Sequence, residues 1–455
     1  MTEQEKMQLM VDKSRMAQKI FEAFSQEQVD KIVRAVARTI YDHAAELANM
    51  TQEETKMGTL EAKLAQNTGG ITWMWGHMKG KKSRGILRYD EDLSILEIAR
   101  PMGVIACVAP ATAPIVTPAH TIMCALKCGN SCIISPHPSG KRSSAYAVQL
   151  INEAISALGA PENLVQVIEE PTRETRALVM QLSDVIVAVG GENLVKLAYS
   201  SGRPSFGVGP GNVQAIVDRG EDIADVVNKV IKGKTYNGGV PCTSTQFVHV
   251  PREDFDEFVR EFQSQGGFYT KDEVILEKMR SACFPDGKTN RTLVGVTPQE
   301  IAAAAGFEIP GDAKIIGLRL DRCGRGELLA KEKLFPVMCL RPYDTWEEAV
   351  EVSESNLQYE GKGHSCAFFS HDQKHIEYGA ERLSVCRFVV NMITTSSLGG
   401  TPRTGFAPTG AVGCGSWGGN SISENMDYYH LMNVCRVAYE RPPVVIPSNE
   451  EIWAE

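Results

Sequence analysis

Apolar positions recur every three to four residues in the opening stretch. Ile32, Val33, Val36, Ile40, Ala44 and Leu47 fall at helical spacing. Ser25-Gln-Glu-Gln28 and Thr51-Gln-Glu-Glu54 both fit the capping box, in which hydroxyl and carboxylate or amide satisfy reciprocal backbone donors. The first 70 residues therefore predict helices, and these helices read as structural. Arg88-Tyr-Asp-Glu91 predicts a turn, and 93–99 a strand.

From Met102 onward, short apolar runs alternate with helical periods. Strands are predicted at 103–108, 131–134, 164–168 and 185–189, with helices at 118–126 and 143–158. Such alternation implies βαβ units and a parallel sheet, whose ligands bind at the carboxyl ends of the strands. A second region repeats the pattern. Strands are predicted at 215–217, 246–250, 337–341, 364–369 and 388–390, and helices at 223–231 and 254–265. The stretch 410–420 carries no regular period. No internal repeat or long linker divides the chain, so two interleaved α/β lobes are expected.

Composition narrows the classes of function. The chain has 455 residues, 12 cysteines and a net charge of −9. At about 150 residues per domain, that length suggests two or three domains. The acidic balance disfavours nucleic acid as a partner. The most apolar stretch, 104–118, is broken by Pro110, Pro114 and Pro118, so no membrane span is expected. The N-terminus has neither a basic n-region nor an apolar h-region. Most cysteines lie in apolar runs (Cys107, Cys124, Cys132, Cys386) and none forms a C-x-x-C pair, so core thiols of a cytoplasmic protein without bound metal are expected.

Cys242 departs from that pattern. It follows Tyr236-Asn-Gly-Gly-Val-Pro, a bend that can hold a nucleophile within reach of substrate; on spacing alone a core thiol is the commoner reading. Val189-Gly-Gly-Glu192 ends a strand and opens a helix, a context suited to phosphate. Phe206-Gly-Val-Gly-Pro-Gly-Asn212 lacks that strand-then-helix context, and each glycine can equally mark a turn. His137, between two prolines, and His364, at a predicted strand start, can be functional or simply hydrogen-bonded. There is no carboxylate pair spaced for glycoside hydrolysis, no G-x-S-x-G elbow and no Walker loop.

Taken in order, these segments resemble the aldehyde dehydrogenase superfamily, and within it the CoA-acylating branch. The resemblance is carried by Gly103-Val-Ile-Ala with Pro110-Ala-Thr-Ala-Pro114, by Ile134-Ser-Pro-His-Pro138, and by Ala198-Tyr-Ser-Ser-Gly-Arg-Pro204. It continues through Gly207-Val-Gly-Pro-Gly-Asn212, the Cys242 segment, Glu332-Lys-Leu-Phe-Pro336 and Gly363-His-Ser365. The most specific piece is Gly413-Cys-Gly-Ser-Trp-Gly-Gly-Asn-Ser-Ile-Ser-Glu-Asn425.

The resemblance implies a fold with a Rossmann-type cofactor lobe, an α/β catalytic lobe and a small oligomerisation arm. It implies boundaries at 1–218 for the cofactor part, 219–412 for the catalytic part and 413–455 for a return to the cofactor lobe and an oligomerisation segment. Cys242 matches the nucleophile. Thr112, Ser135, His137, Pro138, Gly190, Gly191, Gly207, Glu332 and Leu334 match cofactor-binding positions, and Ala113, Thr243 and His364 fall near the acyl pocket. NAD or NADP is the implied cofactor, and CoA the implied co-substrate. A homodimer or homotetramer is expected, with no N-terminal microcompartment peptide.

Three departures from the family pattern shape the expectation. Hydrolytic relatives carry a glutamate that activates water, and the matching position reads as Gly207; a thioester left unhydrolysed is available to a thiol. Ala113 stands where many relatives place an oxyanion-hole asparagine. Ser135 to Pro138 lack the carboxylate that NAD enzymes often place at the adenine ribose, and Lys141 and Arg142 follow, so NADP is permitted. The implied aldehyde is sulfoacetaldehyde, succinate semialdehyde or a short aliphatic one. The alternatives are a hydrolytic aldehyde dehydrogenase giving free acid, and a non-catalytic assembly subunit of the same fold.

Overall fold

The computed structural model describes every residue except 443 and 455. Helices open the chain: α1 (Glu3–Phe21), α2 (Gln26–Asp42), α3 (Ala44–Thr55), α4 (Leu60–Ala65), a π-helical turn (Gln66–Gly70) and α5 (Ile71–Met78). The capping box at Ser25 starts α2 as expected. The one expected at Thr51 does not form, because Thr51 lies inside α3, buried. Glu54 instead caps a different helix. Its two carboxylate oxygens accept the N–H groups of Arg142 and Ser143, each at 2.8 Å.

A two-stranded ribbon follows, β1 (Gly85–Asp90) and β2 (Ile95–Pro101), paired antiparallel. The turn expected at 88–91 therefore comes later. Arg88 is held in β1 by Glu97 across the pair, Nε to Oε2 at 2.8 Å.

The first lobe is a parallel five-stranded sheet. Its strands are β3 (Val104–Val108), β4 (Ser131–Ser135), β5 (Val165–Val167), β6 (Val185–Val189) and β7 (Ser205–Val208), in the order β5-β4-β3-β6-β7. The connecting helices are α6 (Val116–Lys127), α7 (Lys141–Ser156), α8 (Arg173–Leu182) and α9 (Glu192–Tyr199). β3 and β4 are buried along their whole length, as strands covered on both faces must be. The order reverses at β3, so a crevice opens between the carboxyl ends of β3, β4 and β6. β7 was hidden in the glycine cluster; it precedes another strand, not a helix.

The second lobe is a parallel seven-stranded sheet. It contains β8 (Val213–Val217), β9 (Thr245–Pro251), β10 (Gly267–Thr270), β11 (Ile315–Arg319), β12 (Val337–Tyr343), β13 (Cys366–Phe369) and β14 (Phe388–Val390), ordered β10-β11-β12-β9-β8-β13-β14. Helix α10 (Ile223–Thr235) leads into the Cys242 bend. The last strand, β15 (Met432–Ala438), returns to pair antiparallel with β2 and completes a three-stranded arm. Among the described residues no helix is long and apolar enough to cross a membrane.

Candidate active site

The bend that carries Cys242 is built from unusual backbone. Asn237, Gly238 and Gly239 all have positive φ, at 51°, 66° and 75°. L side chains avoid that region, which asparagine tolerates and glycine adopts freely. The neighbours leave no room for alternatives: a Cβ on Gly239 would lie 2.6 Å from the backbone carbon of Phe335. Asn237 Oδ1 accepts the N–H of Thr59 at 2.9 Å, which ties the bend to the start of α4.

Cys242 emerges from this bend half-buried and packed against the core of the first lobe, so it is less exposed than the sequence suggested. Burial raises its thiol above the ordinary range, Glu332 adds to the shift, and Arg387 opposes it. The resting sulfur is therefore protonated at neutral pH. Other thiols behave as expected: Cys107, Cys124 and Cys132 are core groups, although Cys386 is only half-buried.

Cys242 opens into a cavity of about 480 Å³. Thr112, Ala113 and Thr243 line it, as does Val208. Val208, not Gly207, is the β7 residue turned to this cavity. Alternation along the strand sends position 207 the other way. A Cβ there would lie 2.8 Å from Tyr199 Cε2 and 2.9 Å from Val195 Cγ1, both on α9, and the Gly207 N–H donates to the Tyr199 hydroxyl. The carboxylate expected to be missing at Gly207 is thus to be looked for at 208, where the side chain is valine. His364 does not line the cavity either. It is fully buried, with Nδ1 2.7 Å from Ser365 Oγ and Nε2 unpartnered.

The wall also contains residues that read as scaffold in the sequence. Gln66, Thr68, Gly69 and Gly70 of the π-helical turn, with Trp73 and Met74 of α5, face the cavity. A π-turn shifts the register of side chains within a helix and is frequent at functional sites. No sequence period announces it.

Glu332 is near enough to Cys242 to help raise its thiol. Its Oε1 accepts the Gly211 N–H at 2.8 Å, and its own N–H donates to Glu360 Oε2 at 2.7 Å. Burial, aided by Glu360, pushes this carboxyl up to about 8. The next residue is anchored deeply. The Lys333 N–H donates to Gln246 Oε1, and Lys234 Nζ donates to the same oxygen at 2.9 Å and to the Lys333 carbonyl at 2.6 Å. Leu334, half-buried, accepts the Gly295 N–H through its carbonyl at 2.9 Å.

The remaining expected cofactor residues gather at the strand ends of the first lobe. Ser135 ends β4; its hydroxyl is buried and has no partner in the protein. His137 Nδ1 accepts the Ser139 N–H at 3.1 Å, and Pro138 is exposed beside it. Gly190 follows β6, and Gly191 is the N-cap of α9, with no side chain satisfying the helix's free N–H groups. A Cβ on Gly190 would strike Leu194 at 2.7 Å. An orphaned hydroxyl, an uncapped helix start and bare glycine backbone at one crevice fit a dinucleotide.

Of the two cations expected near this crevice, Lys141 is paired, and two further arginines bear on His137. Lys141 is paired with Glu170 at 2.5 Å. Burial and then the positive charge of Arg176, on α8, hold His137 below its ordinary range, and Arg176 Nε is buried without a partner. Arg291 also bears on His137. Both lie far from His137 in sequence, so no local motif flagged them.

The aldehyde dehydrogenase family profile matches residues 1–266, and the chain belongs to that family. It is 44% identical to a succinate-semialdehyde dehydrogenase (acetylating) of Clostridium kluyveri over 98% of both chains. It is 33% identical to a sulfoacetaldehyde dehydrogenase of Acholeplasma sp, over 98% of this chain and 93% of that one. Among solved structures, an acetylating aldehyde dehydrogenase of Geobacillus thermoglucosidasius superposes with a TM-score of 0.93, at 34% identity and 98% coverage of each chain.

Proposed function

We propose that this protein is a CoA-acylating aldehyde dehydrogenase, converting an aldehyde, CoA and NAD(P)⁺ to an acyl-CoA and NAD(P)H. One observation carries the reading: among the described residues no carboxylate lines the cavity into which Cys242 opens, and Val208 occupies the β7 position that faces it.

The chemistry follows from the residues. Cys242 Sγ attacks the carbonyl carbon of the aldehyde; the carbon–sulfur bond forms as the C=O π bond breaks, and the thiol proton ends on the oxygen of the resulting thiohemiacetal. Ser135, His137, Gly190, Gly191 and Glu332 would hold NAD(P)⁺, which would supply an acceptor for the adduct's hydride, the hydroxyl proton of the adduct leaving to solvent. The acyl group is then a thioester on Cys242. Among the described residues no carboxylate on the cavity wall can deprotonate a water at that carbonyl, so hydrolysis is slow. The thiol of CoA is a stronger nucleophile, and its attack releases acyl-CoA and restores Cys242.

Arg176, unpartnered beside His137, favours NADP as the dinucleotide, because a 2′-phosphate would supply its missing anion. The arm of β1, β2 and β15 exposes Ile86, Tyr89, Val437 and Tyr439, which supports assembly with further copies of the chain.

The test is NAD(P)H formation with an aldehyde panel, with and without CoA. Sustained turnover only with CoA, and a single burst equal to the enzyme concentration without it, is the expected result. Rapid CoA-independent release of free acid overturns the proposal in favour of the hydrolytic alternative.

A further inference from the structure

The chain leaves α10 after Thr235, makes the bend that carries Cys242 and enters β9 at Thr245. Residues at the two ends of that excursion grip the same peptide unit. Lys234 Nζ, in the last turn of α10, donates to the Lys333 carbonyl at 2.6 Å. Gln246 Oε1, at the start of β9, accepts the Lys333 N–H at 2.9 Å. Lys234 Nζ also donates to Gln246 Oε1 at 2.9 Å, which closes the clasp. Ser244 ties it to the bend: its Oγ lies 3.5 Å from Lys234 Nζ, accepts from Gln246 Nε2 at 3.1 Å and donates to the Gly239 carbonyl at 3.2 Å.

Residues 331–336 form neither helix nor strand, so the N–H and carbonyl of Lys333 have no ladder to join and depend on these partners. The side chain of Lys333 holds the segment from within, donating to the carbonyls of Leu329 and Lys331, each at 2.7 Å. Lys234 is fully buried and its acceptors are all neutral, so these contacts are not ion pairs. An apolar side chain would typically serve stability there as well. What the amine adds is the clasp.

We propose that Lys234 is a positioning residue for hydride transfer. It holds the Glu332 segment against both ends of the Cys242 loop, and so fixes where the nicotinamide ribose would sit relative to the nucleophile. The inference rests on the reading of Cys242 as the nucleophile and Glu332 as the ribose carboxylate. Gly211 holds Glu332 from the other direction, its N–H donating to Oε1 at 2.8 Å. Lys234 does not line the cavity, so it acts only through that segment. A displacement of about 1 Å between reacting groups can cost about a hundredfold in rate.

Lys234→Met keeps the length of the side chain and removes its donors. Hydrogen exchange of the free enzyme should quicken by about tenfold or more in 329–336 and stay unchanged in 236–244, while iodoacetamide alkylation of Cys242 stays within about twofold of wild type. With saturating dinucleotide, no CoA and the fastest aldehyde of the panel, the NAD(P)H burst should slow by about a hundredfold and show a full primary isotope effect with the 1-deuterated aldehyde. In a Glu332→Ala background the same substitution should cost less than about threefold. A folded Lys234→Met with the wild-type burst rate overturns the proposal. So does a loss equally large in the Glu332→Ala background, or alkylation that slows together with the burst. If Lys234→Met does not fold, Gln246→Met removes the other half of the clasp and is held to the same outcomes. Hydride transfer precedes the choice between CoA and water, so the comparison stands whichever takes the acyl group. A wild-type enzyme that forms no NAD(P)H with any aldehyde overturns the catalytic reading itself, whereas failure of the positioning role shows only in the variants.

Discussion

Val208→Glu should turn this enzyme partly hydrolytic, and Gly207→Glu should not. The two positions are adjacent on β7 but face opposite sides. Val208 is 4% exposed and borders the cavity of Cys242. Losing its burial costs about 1.5–3 kcal/mol, reduced where the new carboxyl reaches the cavity. A general base beside the thioester is worth about 10²–10⁴-fold, so even poor placement raises CoA-independent turnover well above background. Gly207→Glu forces a Cβ to 2.8 Å from Tyr199 and 2.9 Å from Val195. Overpacking of that kind costs about 1–3 kcal/mol, and the carboxylate ends up against α9. The assay follows NAD(P)H without CoA and titrates the free acid, after circular dichroism and urea melts establish folding. A folded Val208→Glu with no acid release refutes the reasoning. So does a folded Gly207→Glu that hydrolyses.

Cys242→Ala should lower kcat by several orders of magnitude while dinucleotide affinity, measured by fluorescence titration, stays within a few-fold, because the cofactor residues lie on other segments. Arg176→Ala should lower kcat/KM for NADP by about tenfold or more, the loss of a charge-assisted contact, and leave NAD nearly unchanged; equal loss with both dinucleotides would remove Arg176 from the 2′-phosphate site. Glu332 holds its proton up to about 8 when folded but releases it near 4.5 when unfolded, so between those pH values the folded state binds the extra proton and this residue's contribution to stability falls as pH rises. Glu332→Gln should therefore flatten the decline of urea stability from pH 5 to 8, and an unchanged slope would contradict the burial of that carboxyl.

The sheets were legible because buried parallel strands leave continuous apolar runs: 185–189 and 388–390 coincide with β6 and β14. Short strands among glycines, such as β7, leave no such trace, since Gly207 and Ser205 break the run. The Thr51 motif misled because a capping box has the same letters whether or not a helix begins there. Glu54 is used as a cap, but for α7, nearly ninety residues away in sequence. Side-chain direction was the other loss. The absence of a base was read at position 207, although a one-residue shift on a strand turns a side chain to the opposite face. Arg176 was invisible for a different reason: its relation to His137 exists only once α8 packs beside β4.

The Gly207–Asn212 cluster lacks the strand-then-helix context of a phosphate loop, and its glycines serve a closer neighbour. A Cβ on Gly211 would collide with the Cys242 carbonyl. The same residue donates its N–H to Glu332. Asn212, next in the chain, donates to the carbonyls of Ala330 and Glu360, which flank the Glu332 segment. One stretch of backbone thus sets the distance between the nucleophile and the carboxyl expected to hold the nicotinamide ribose. A side chain at position 211 would separate them by shifting either the bend or the Glu332 loop. Glycine is needed here for proximity and not for a left-handed turn, since Gly211 does not have a positive φ. Sequence alone registers both needs with the same letter.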